Sequence, residues 1–464
     1  MSKLRIYDSL SRSIVDFVPR DPGRVSIYAC GLTPQAPSHL GHMRGAVLFD
    51  VIRRWFEYLG YEVNFVQNFT DIDDKIIRKS KEEGIPPEEV AKKYSKMYLE
   101  DLTALGVRPA KWVYVTENIP VIIEMIQKLI ERGAAYVVDG DVYFRVLSFP
   151  QYGKLSRRKL SEMQAGARIE VDERKEHPMD FALWKAAKPG EPSWDSPWGK
   201  GRPGWHIECS ALSLKELGPN FDIHAGGVDL VFPHHENEIA QSEAYLGKPE
   251  FARIWMHWGA VRLAEKKMSK SEGNVMETRE VLERFSPQSI RLFLLGTSYR
   301  SPIEYTETRM HDSESASERI RIALQRVTSL LGKNEEEPKA EDYVQRFTDA
   351  MNDDFNTAGA IGVMYEAIGE INELLSENPK KNEKRIHSLR NAVEWFLEIL
   401  GLTMPKEEIF TDGMTEKVLS LIIKWRNELR AQKQFAFADK IREDLKHLGI
   451  LLEDTTEGTI WRKV

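Results

Sequence analysis

The stretch VSIYACGLTPQAPSHLGHMRGAVLFDVIRRWFEYLG, residues 25–60, contains the three parts of a phosphate-binding α/β unit. Val25–Tyr28 is a β-branched and aromatic run that is typical of a strand. Apolar residues then recur at helical spacing from Val47 to Leu59, and Gly60 supplies a stop. Since α/β proteins hold phosphates where a strand passes through a loop into a helix, the stretch predicts a nucleotide-binding fold.

Two histidines at the predicted helix start are candidate phosphate-binding residues. They belong to the sequence His39-Leu40-Gly41-His42. Gly41 has no Cβ, so a flat ring can approach the backbone there, and the two imidazoles can donate hydrogen bonds to phosphate oxygens. This short motif alone is equally compatible with a helix-capping loop that carries two surface histidines.

The bulk composition indicates a soluble protein of several domains. The chain has 464 residues, of which 42% are hydrophobic and 30% charged. Its start, MSKLRIYDSL, lacks the apolar core of a signal peptide, and no run reaches membrane-spanning length, so we expect a cytoplasmic protein without membrane contact. The net charge of −7 does not indicate nucleic-acid binding, so any RNA contact must come from local patches.

Changes in composition along the chain predict a fold in two halves with an insertion between them. Glu62–Gln67 alternates as a strand and leads to Thr70, at the carboxyl end where open α/β sheets bind ligands. The carboxylates that follow, Asp71, Asp73 and Asp74, are more typical of helix caps. A Pro-, Trp- and Gly-rich stretch then separates this half from a second one. After the second half, apolar residues recur at helical spacing, which predicts a helical region.

We therefore expect an α/β protein with a Rossmann-like catalytic domain, an insertion, a mostly α-helical bundle and a small C-terminal domain. The predicted divisions are the first catalytic half (1–118), the connective insertion (119–202), the second catalytic half (203–277), a linker region (278–311), the helical bundle (312–401) and the C-terminal domain (402–464).

The second half contains candidate metal ligands. His234 and Glu238 are four residues apart in a helix expected to have Pro233 in its first turn, so they project from one face. The chain has only two cysteines, Cys30 and Cys209, and cytosolic redox disfavours a disulfide between them. Two thiolates, one imidazole and one carboxylate suit Zn²⁺. Inert buried thiols and a merely polar helix face are the alternatives that the residues leave open.

A second motif changes the interpretation of the histidine pair. Lys267-Met268-Ser269-Lys270-Ser271 lies far downstream and, taken alone, could be a solvated basic loop. Both motifs in this order, each after an apolar strand-like run, resemble the signature pair of class I aminoacyl-tRNA synthetases. Together with Cys30, the sequences GWHIECSA (204–211), HAGGVDL (224–230) and FPHHENE (232–238) resemble the cysteinyl-tRNA synthetase family in particular. The resemblance covers most of the first ~300 residues.

This resemblance implies a ligase that activates L-cysteine with ATP and Mg²⁺ and transfers it to tRNA(Cys), with one Zn²⁺ per chain that selects the substrate thiolate. It implies catalytic roles for His39, His42, Lys267 and Lys270. The implied ATP-binding residues are these four with Gly41, Gly227 and Asp229. The implied substrate pocket comprises Thr70, Trp205 and His224. The implied zinc ligands are Cys30, Cys209, His234 and Glu238.

The C-terminal residues correspond to the end of the chain that reads the anticodon in this family. We expect one long helical region, Glu416–Leu448, followed by a hairpin of Ile450–Asp454 and Thr459–Arg462. Basic and aromatic residues are interspersed here, namely Arg426, Arg430, Lys433, Lys440, Arg442, Lys446, Arg462 and Lys463 with Trp425, Phe435, Phe437 and Trp461. A solvated helix face with core aromatics is the alternative to an RNA-binding patch. A monomer is expected.

The sequence departs from the family pattern at Pro34-Gln35, and two other functions are alternatives. Many relatives have a Val-Tyr pair where Pro34-Gln35 follows Thr33 here, so an aromatic contact to the substrate is not carried over. An ATP-dependent ligase that joins cysteine to a small amine would not need the residues after Tyr305. A non-catalytic, zinc-stabilised tRNA-binding protein would have no use for the intact histidine and lysine motifs.

Overall fold

The computed structural model describes residues 2–160, 173–263, 276–403, 413–455 and 458–463. The chain divides into two compact units. The first comprises Met1–Ser317, Gln345–Val363 and Phe396–Leu402, and the second comprises Glu318–Val344, Met364–Trp395 and Thr403–Val464. The six finer divisions expected from the sequence stay predictions.

The strands, in chain order, are β1 (Arg5–Asp8), β2 (Ser13–Asp16), β3 (Arg24–Leu32), β4 (Glu62–Phe69), β5 (Lys111–Tyr114), β6 (Ala135–Val138), β7 (Asp141–Phe144), β8 (Phe181–Ala186), β9 (Gly201–Pro203), β10 (Phe221–Gly227), β11 (Ala252–Trp258), β12 (Val261–Leu263), β13 (Ile303–Tyr305), β14 (Ile450–Thr455) and β15 (Gly458–Lys463).

The helices are α1 (Leu40–Tyr58), α2 (Asp74–Glu83), α3 (Pro87–Ala104), α4 (Ile119–Glu131), α5 (Trp205–Leu217), α6 (Glu236–Leu246), α7 (Thr278–Leu282), α8 (Pro287–Leu295), α9 (Glu307–Leu331), α10 (Glu341–Asn352), α11 (Thr357–Glu377), α12 (Glu383–Leu400), α13 (Gly413–Ala431) and α14 (Phe435–His447). No described helix has the length and apolar character needed to cross a membrane.

A five-stranded parallel sheet forms the centre of the first unit. Its strand order is β11-β10-β3-β4-β5, and Ile27 of β3 aligns with Phe65 of β4 and with Ile223 of β10. The chain moves outward from β3 to β5 and then returns to the other side of β3 as β10. The strand order therefore reverses between β3 and β10, which is where ligands bind in open α/β sheets. The predicted Rossmann-like fold is confirmed.

Helix α1 follows the predicted pattern. Val47, Val51 and Trp55 are completely buried, as the helical spacing of the apolar residues requires. The helix ends at Tyr58, and Gly60 has φ of +90°, a conformation that residues with a Cβ rarely adopt. Because only a seven-residue loop joins the carboxyl end of β3 to α1, the first turn of α1 lies at the reversal point of the sheet.

The insertion forms an antiparallel sheet of its own with the order β6-β7-β8-β9. Its core is not separate from that of the parallel sheet, because Phe144 and Trp184 belong to the same buried apolar cluster as Tyr28 and Val66. Helix α4, at the start of the insertion, packs against α5 and α6. The insertion is therefore anchored to the helices of the second catalytic half.

The C-terminal part of the second unit differs from the expectation in one respect. The prediction of one helical region over Glu416–Leu448 is wrong, because α13 ends at Ala431 and α14 begins only at Phe435. Lys433, between them, has φ of +61°, which no helix accommodates. The break lets the two helices pack on the predicted hairpin, which is confirmed as antiparallel β14 and β15, with Leu419, Ile423, Leu445 and Leu452 buried in one cluster.

Candidate metal centre and active site

The four predicted metal ligands come together at the reversal point of the sheet. Cys30 lies near the carboxyl end of β3 and Cys209 lies in α5, while His234 lies two residues before α6 and Glu238 lies in its first turn. One donor atom from each of the four lies within 4.8 Å of the others, and all four side chains are buried. Ligands that lie up to 208 positions apart in the sequence thus form one compact donor set.

The local backbone around His234 is helical from Pro233 onward. In Val231–His235, Phe232 has the non-helical angles φ of −143° and ψ of 131°, and Pro233 follows it at the start of a helical run that continues into α6 at Glu236. This agrees with the expected place of Pro233 in the first turn. His234 Nε2 lies 3.0 Å from Glu238 Oε1, so the two side chains share one face as predicted.

The cluster favours deprotonated donors on two of its members. Burial raises the pKa of Cys30 well above its usual value. A hydrogen bond from Cys30 lowers the pKa of Cys209 to about 6 despite burial, with help from His234. Burial opposes the charge of Glu238 too, but His224 and His234 hold the pKa of this carboxyl well below its usual value. One thiolate and one carboxylate are therefore available to a cation, as metal binding requires.

Four further histidines lie at or next to this donor set, namely His206, His224, His235 and His257, and the sequence predicted a role only for His224. His206 Nδ1 lies 3.0 Å from His234 Nδ1, which leaves Nε2 of His234 directed at Glu238. His235 Nε2 lies 3.3 Å from Cys30 Sγ, and its Nδ1 lies 2.8 Å from His257 Nε2. Two features of the sequence could have indicated these histidines. They are the consecutive His-His in FPHHENE and the high number of histidines in the predicted second catalytic half.

The residues fit a zinc ion. Two thiols, an imidazole and a carboxylate form a donor set that Zn²⁺ accepts, and further buried imidazoles hold the donors in place. A second combination, Cys30 with His224, His235 and Glu238, also brings its donor atoms within 4.8 Å. Among the described residues, the buried Nδ1 of His224 has no hydrogen-bond partner. The site therefore contains more potential metal-ligating atoms than the four predicted ligands provide.

The three predicted pocket residues lie next to the donor set. The Trp205 ring stacks on His234 with centroids 4.2 Å apart and keeps 37% of its surface exposed, so it borders the cluster on the solvent side. His224 is completely buried, and its Nε2 lies 2.7 Å from Glu238 Oε2. Thr70 donates a hydrogen bond of 2.8 Å to Glu208 Oε2, beside Cys209. Their roles in binding substrate stay predictions.

Five of the predicted ATP-binding residues, His39, Gly41, His42, Gly227 and Asp229, are described, and they lie at two places on the same edge of the sheet. His39 and His42, in the first turn of α1, have stacked rings with centroids 3.6 Å apart, and the His39 N–H donates to His42 Nδ1 at 3.3 Å. A Cβ on Gly41 would lie 3.0 Å from the His39 ring. Gly227 ends β10, and Asp229 follows it in a short turn. Lys267 and Lys270 lie outside the described residues.

Comparison with known proteins first identifies the class. The family profile "tRNA synthetases class I (C) catalytic domain" matches residues 16–315, and the profile "DALR domain" matches residues 346–404. The chain has the fold of a Mycobacterium tuberculosis methionyl-tRNA synthetase bound by methionyl-adenylate, with a TM-score of 0.59 and 16% identity over 81% of this chain and 90% of that chain. It also resembles a leucyl-type synthetase, LeuRS of Agrobacterium radiobacter, with a TM-score of 0.58 and 12% identity over 83% of this chain and 84% of that chain. The fold is that of a class I aminoacyl-tRNA synthetase.

Full-length relatives then identify the family. The cysteine–tRNA ligase of Carboxydothermus hydrogenoformans is 48% identical, over 99% of this chain and 100% of the relative. The cysteine–tRNA ligase of a Geobacillus species is 47% identical, over 100% of both chains. The chain belongs to the cysteine–tRNA ligase family.

Proposed function

We propose that this enzyme activates L-cysteine with ATP to cysteinyl-adenylate, releasing pyrophosphate, and then transfers the cysteinyl group to the 3′-terminal adenosine of tRNA(Cys), releasing AMP. The observation that carries the proposal is the buried set of Cys30, Cys209, His234 and Glu238, which lies at the sheet edge where α1 begins. A soft, thiol-binding centre beside a phosphate-binding helix start is what the joining of cysteine to a nucleotide requires.

The first step needs charge stabilisation more than proton transfer. The cysteine carboxylate attacks the α-phosphorus of ATP, a bond to this phosphorus forms, and the bond to the pyrophosphate oxygen breaks. Negative charge grows on the phosphoryl oxygens, so positioning and electrostatics supply most of the rate. His39 and His42 would donate hydrogen bonds to the phosphates from the first turn of α1. Lys267 and Lys270 would add positive charge, and ATP would arrive with Mg²⁺.

Recognition of the thiol would depend on the four buried ligands. When bound there, Zn²⁺ supplies a soft partner for a thiolate and so distinguishes cysteine from serine far better than the shape of a pocket can. Cys30, Cys209, His234 and Glu238 would hold this ion, and His206 and His224 would orient two of the ligands. Trp205 would limit access of water to the cluster by its stacking on His234.

Contact with the anticodon would be made by exposed aromatic side chains of the C-terminal helices. Trp425, Phe435 and Phe437 are 52%, 53% and 64% exposed, which supports stacking on unpaired bases. Several of the arginines considered for the same patch are held in internal ion pairs instead. Asp454 pairs with Arg426, Arg430 and Arg442, and Glu318 pairs with Arg462. The aromatics, rather than these arginines, are the better candidates.

Two assays on the purified protein test this function and its rivals. Cysteine-dependent exchange of pyrophosphate into ATP measures the first step, and charging of total tRNA with labelled cysteine measures the second. We expect both activities. Exchange without charging would favour a ligase that uses a small amine, and the absence of both activities from folded protein would favour a binding protein.

A further inference from the structure

Glu236 lies between two of the candidate zinc ligands in the sequence but belongs to neither set of converging metal-ligating atoms. It is the first residue of α6, two positions after His234 and two positions before Glu238. Its side chain is completely buried. Oε1 accepts a hydrogen bond of 2.9 Å from the N–H of Gly153, and Oε2 accepts one of 2.7 Å from the N–H of Ser156. This carboxyl group therefore binds the backbone of the insertion.

These backbone groups belong to a loop of the insertion, residues 152–158, which we call the clamp segment. Gly153 has φ of +97°, a conformation that residues with a Cβ rarely adopt, and the turn directs several N–H groups of the loop toward one carboxyl group. The N–H of Leu155 also donates to this group, at 3.4 Å. The Leu155 side chain is buried in the apolar cluster that contains Cys30 and Cys209, so the loop is anchored in the core around the thiols.

Side chains of the clamp segment make further contacts with the stretch that carries His234. The hydroxyl of Tyr152 donates a hydrogen bond to Asn237 Oδ1. The guanidinium of Arg158 lies over the ring of Phe232, 5.0 Å from its centroid. The clamp segment therefore contacts the chain on both sides of His234.

The position of this stretch determines the geometry of the candidate metal centre. His234 and Glu238 lie on one short stretch of chain, whereas Cys30 lies on β3 and Cys209 on α5. One donor atom from each of the four lies within 4.8 Å of the others. A displacement of α6 would change the distances of both its ligands from both thiols at once, and metal sites depend on the groups that hold their ligands in place.

From these contacts we propose that Glu236 is a positioning residue for the metal centre, and that the clamp segment determines how tightly the zinc ion is held. The inference rests on the proposed function, because it takes zinc as the group that binds the substrate thiol. Glu236 acts only through the positions of His234 and Glu238. The insertion thereby contributes to the recognition of cysteine, although it supplies none of the four ligands.

Glu236→Gln tests this role in the full-length protein. The substitution keeps the size of the side chain but replaces one accepting oxygen with a donating NH₂ group, so the clamp segment loses an acceptor. We expect the zinc affinity, measured by competition with a chromogenic chelator, to fall by about 10–100-fold. The absorption bands of the Co²⁺-substituted protein should also change, because they report the geometry of the ligands. In pyrophosphate exchange, the KM for cysteine should rise by about 10-fold while the KM for ATP stays within about 3-fold of wild type.

Asp222→Asn is the matched control for the loss of a buried carboxyl group. Asp222 is 2% exposed, and it accepts hydrogen bonds from the N–H groups of Arg20, at 2.5 Å, and Ser26, at 2.8 Å. It lies near the start of β10, whereas the metal ligands converge at the carboxyl edge of the sheet. This variant should lose stability, but its zinc affinity should stay within about 3-fold of wild type and its Co²⁺ spectrum should be unchanged.

A milder variant keeps the test decisive if Glu236→Gln does not fold. Tyr152→Phe removes only the hydroxyl that donates to Asn237, and it should lower the zinc affinity by about 5-fold, as the loss of one hydrogen bond does. A folded Tyr152→Phe protein with unchanged zinc affinity would then contradict the inference.

The outcomes separate the inference from the function on which it rests. A folded Glu236→Gln protein with the zinc affinity and Co²⁺ spectrum of wild type would contradict the inference while the proposed function stands. Equal losses of zinc affinity in Glu236→Gln and Asp222→Asn would contradict it as well, because they would indicate a general loss of stability. A wild-type protein that binds no zinc, or shows no cysteine-dependent exchange, would contradict the proposed function itself.

Discussion

His234 Nε2 lies 3.0 Å from Oε1 of Glu238, one helical turn further along the chain, in a site where both side chains are almost inaccessible to solvent. The other oxygen of the same carboxylate lies 2.7 Å from His224 Nε2. Glu238 is therefore held through both of its oxygens by two histidines. This arrangement provides a preorganised metal site whose individual ligands can be tested.

The first prediction concerns a thiol ligand. Cys209→Ser replaces a soft donor with a hydroxyl that does not ionise readily, so the variant should lose its bound zinc. We expect the KM for cysteine in pyrophosphate exchange to rise by at least about 10-fold, in line with the loss of a metal ligand or its support. Metal analysis together with exchange kinetics measures both effects. Normal zinc content with normal cysteine kinetics would show that Cys209 is not a ligand.

The second prediction concerns the lysine motif. Lys270→Ala should lower kcat of exchange by on the order of 100-fold, because one electrostatic contact to the transition state is worth about 3 kcal/mol. Cysteine binding, followed by calorimetry without ATP, should change little, since the positive charge acts on the phosphates. An exchange rate within a few-fold of wild type would remove this lysine from the mechanism.

The third prediction concerns RNA contact. Trp425→Ala should leave pyrophosphate exchange unchanged and weaken tRNA charging, because stacking of a base on an aromatic ring is worth about 1–3 kcal/mol. Leu448→Ala is the matched control, since Leu448 is apolar and 74% exposed but has no ring for stacking. Charging should therefore distinguish the two variants. If Trp425→Ala and wild type charged tRNA equally well, stacking of an RNA base on Trp425 would be contradicted.

The fourth prediction concerns stability. Asp50 is completely buried and pairs with Arg291 at 2.7 Å and with Arg54 at 3.0 Å. Although burial opposes its charge, Arg291 and Arg54 lower the pKa of Asp50 below its usual value. Asp50→Asn would leave Arg291 buried without its counter-ion, which should lower the free energy of unfolding by about 3–5 kcal/mol.

The pH dependence of this stabilisation has a definite sign. Because the pKa of Asp50 is lower in the folded than in the unfolded protein, its contribution is present above about pH 4 and decreases as the pH falls further. Denaturant titrations across this range should show a smaller pH dependence for Asp50→Asn than for wild type. Glu57→Gln, which removes a partner of Arg108 that is 40% exposed, is the control and should change stability by less than about 1 kcal/mol.

The sequence predicts the parallel sheet and part of the candidate metal cluster, because these features depend on strong local patterns. Helix α1 follows from the spacing of Val47, Val51 and Trp55, and the face shared by His234 and Glu238 follows from their separation along the chain. Convergence of Cys30 and Cys209 required the family resemblance, since no local pattern joins two residues so far apart.

Other features could not be read from the sequence. The break between α13 and α14 depends on the left-handed conformation of Lys433, a residue type that ordinarily continues a helix. Arg44 of α1 is buried and donates hydrogen bonds to the carbonyls of Gly259 and Ser301, which follow it by more than two hundred residues, and sequence spacing gives no indication of such contacts.

Amino-acid selection by the metal is the central claim, and the direct measurement is pyrophosphate exchange with cysteine and with serine on protein of known zinc content. We predict about one zinc ion per chain. A chelator should remove both the zinc and the exchange activity, and added Zn²⁺ should restore both. We predict that kcat/KM for cysteine exceeds that for serine by at least ~10⁴, because shape alone separates such similar substrates only weakly. Active protein without zinc, or serine activated at a rate comparable to cysteine, would contradict the account.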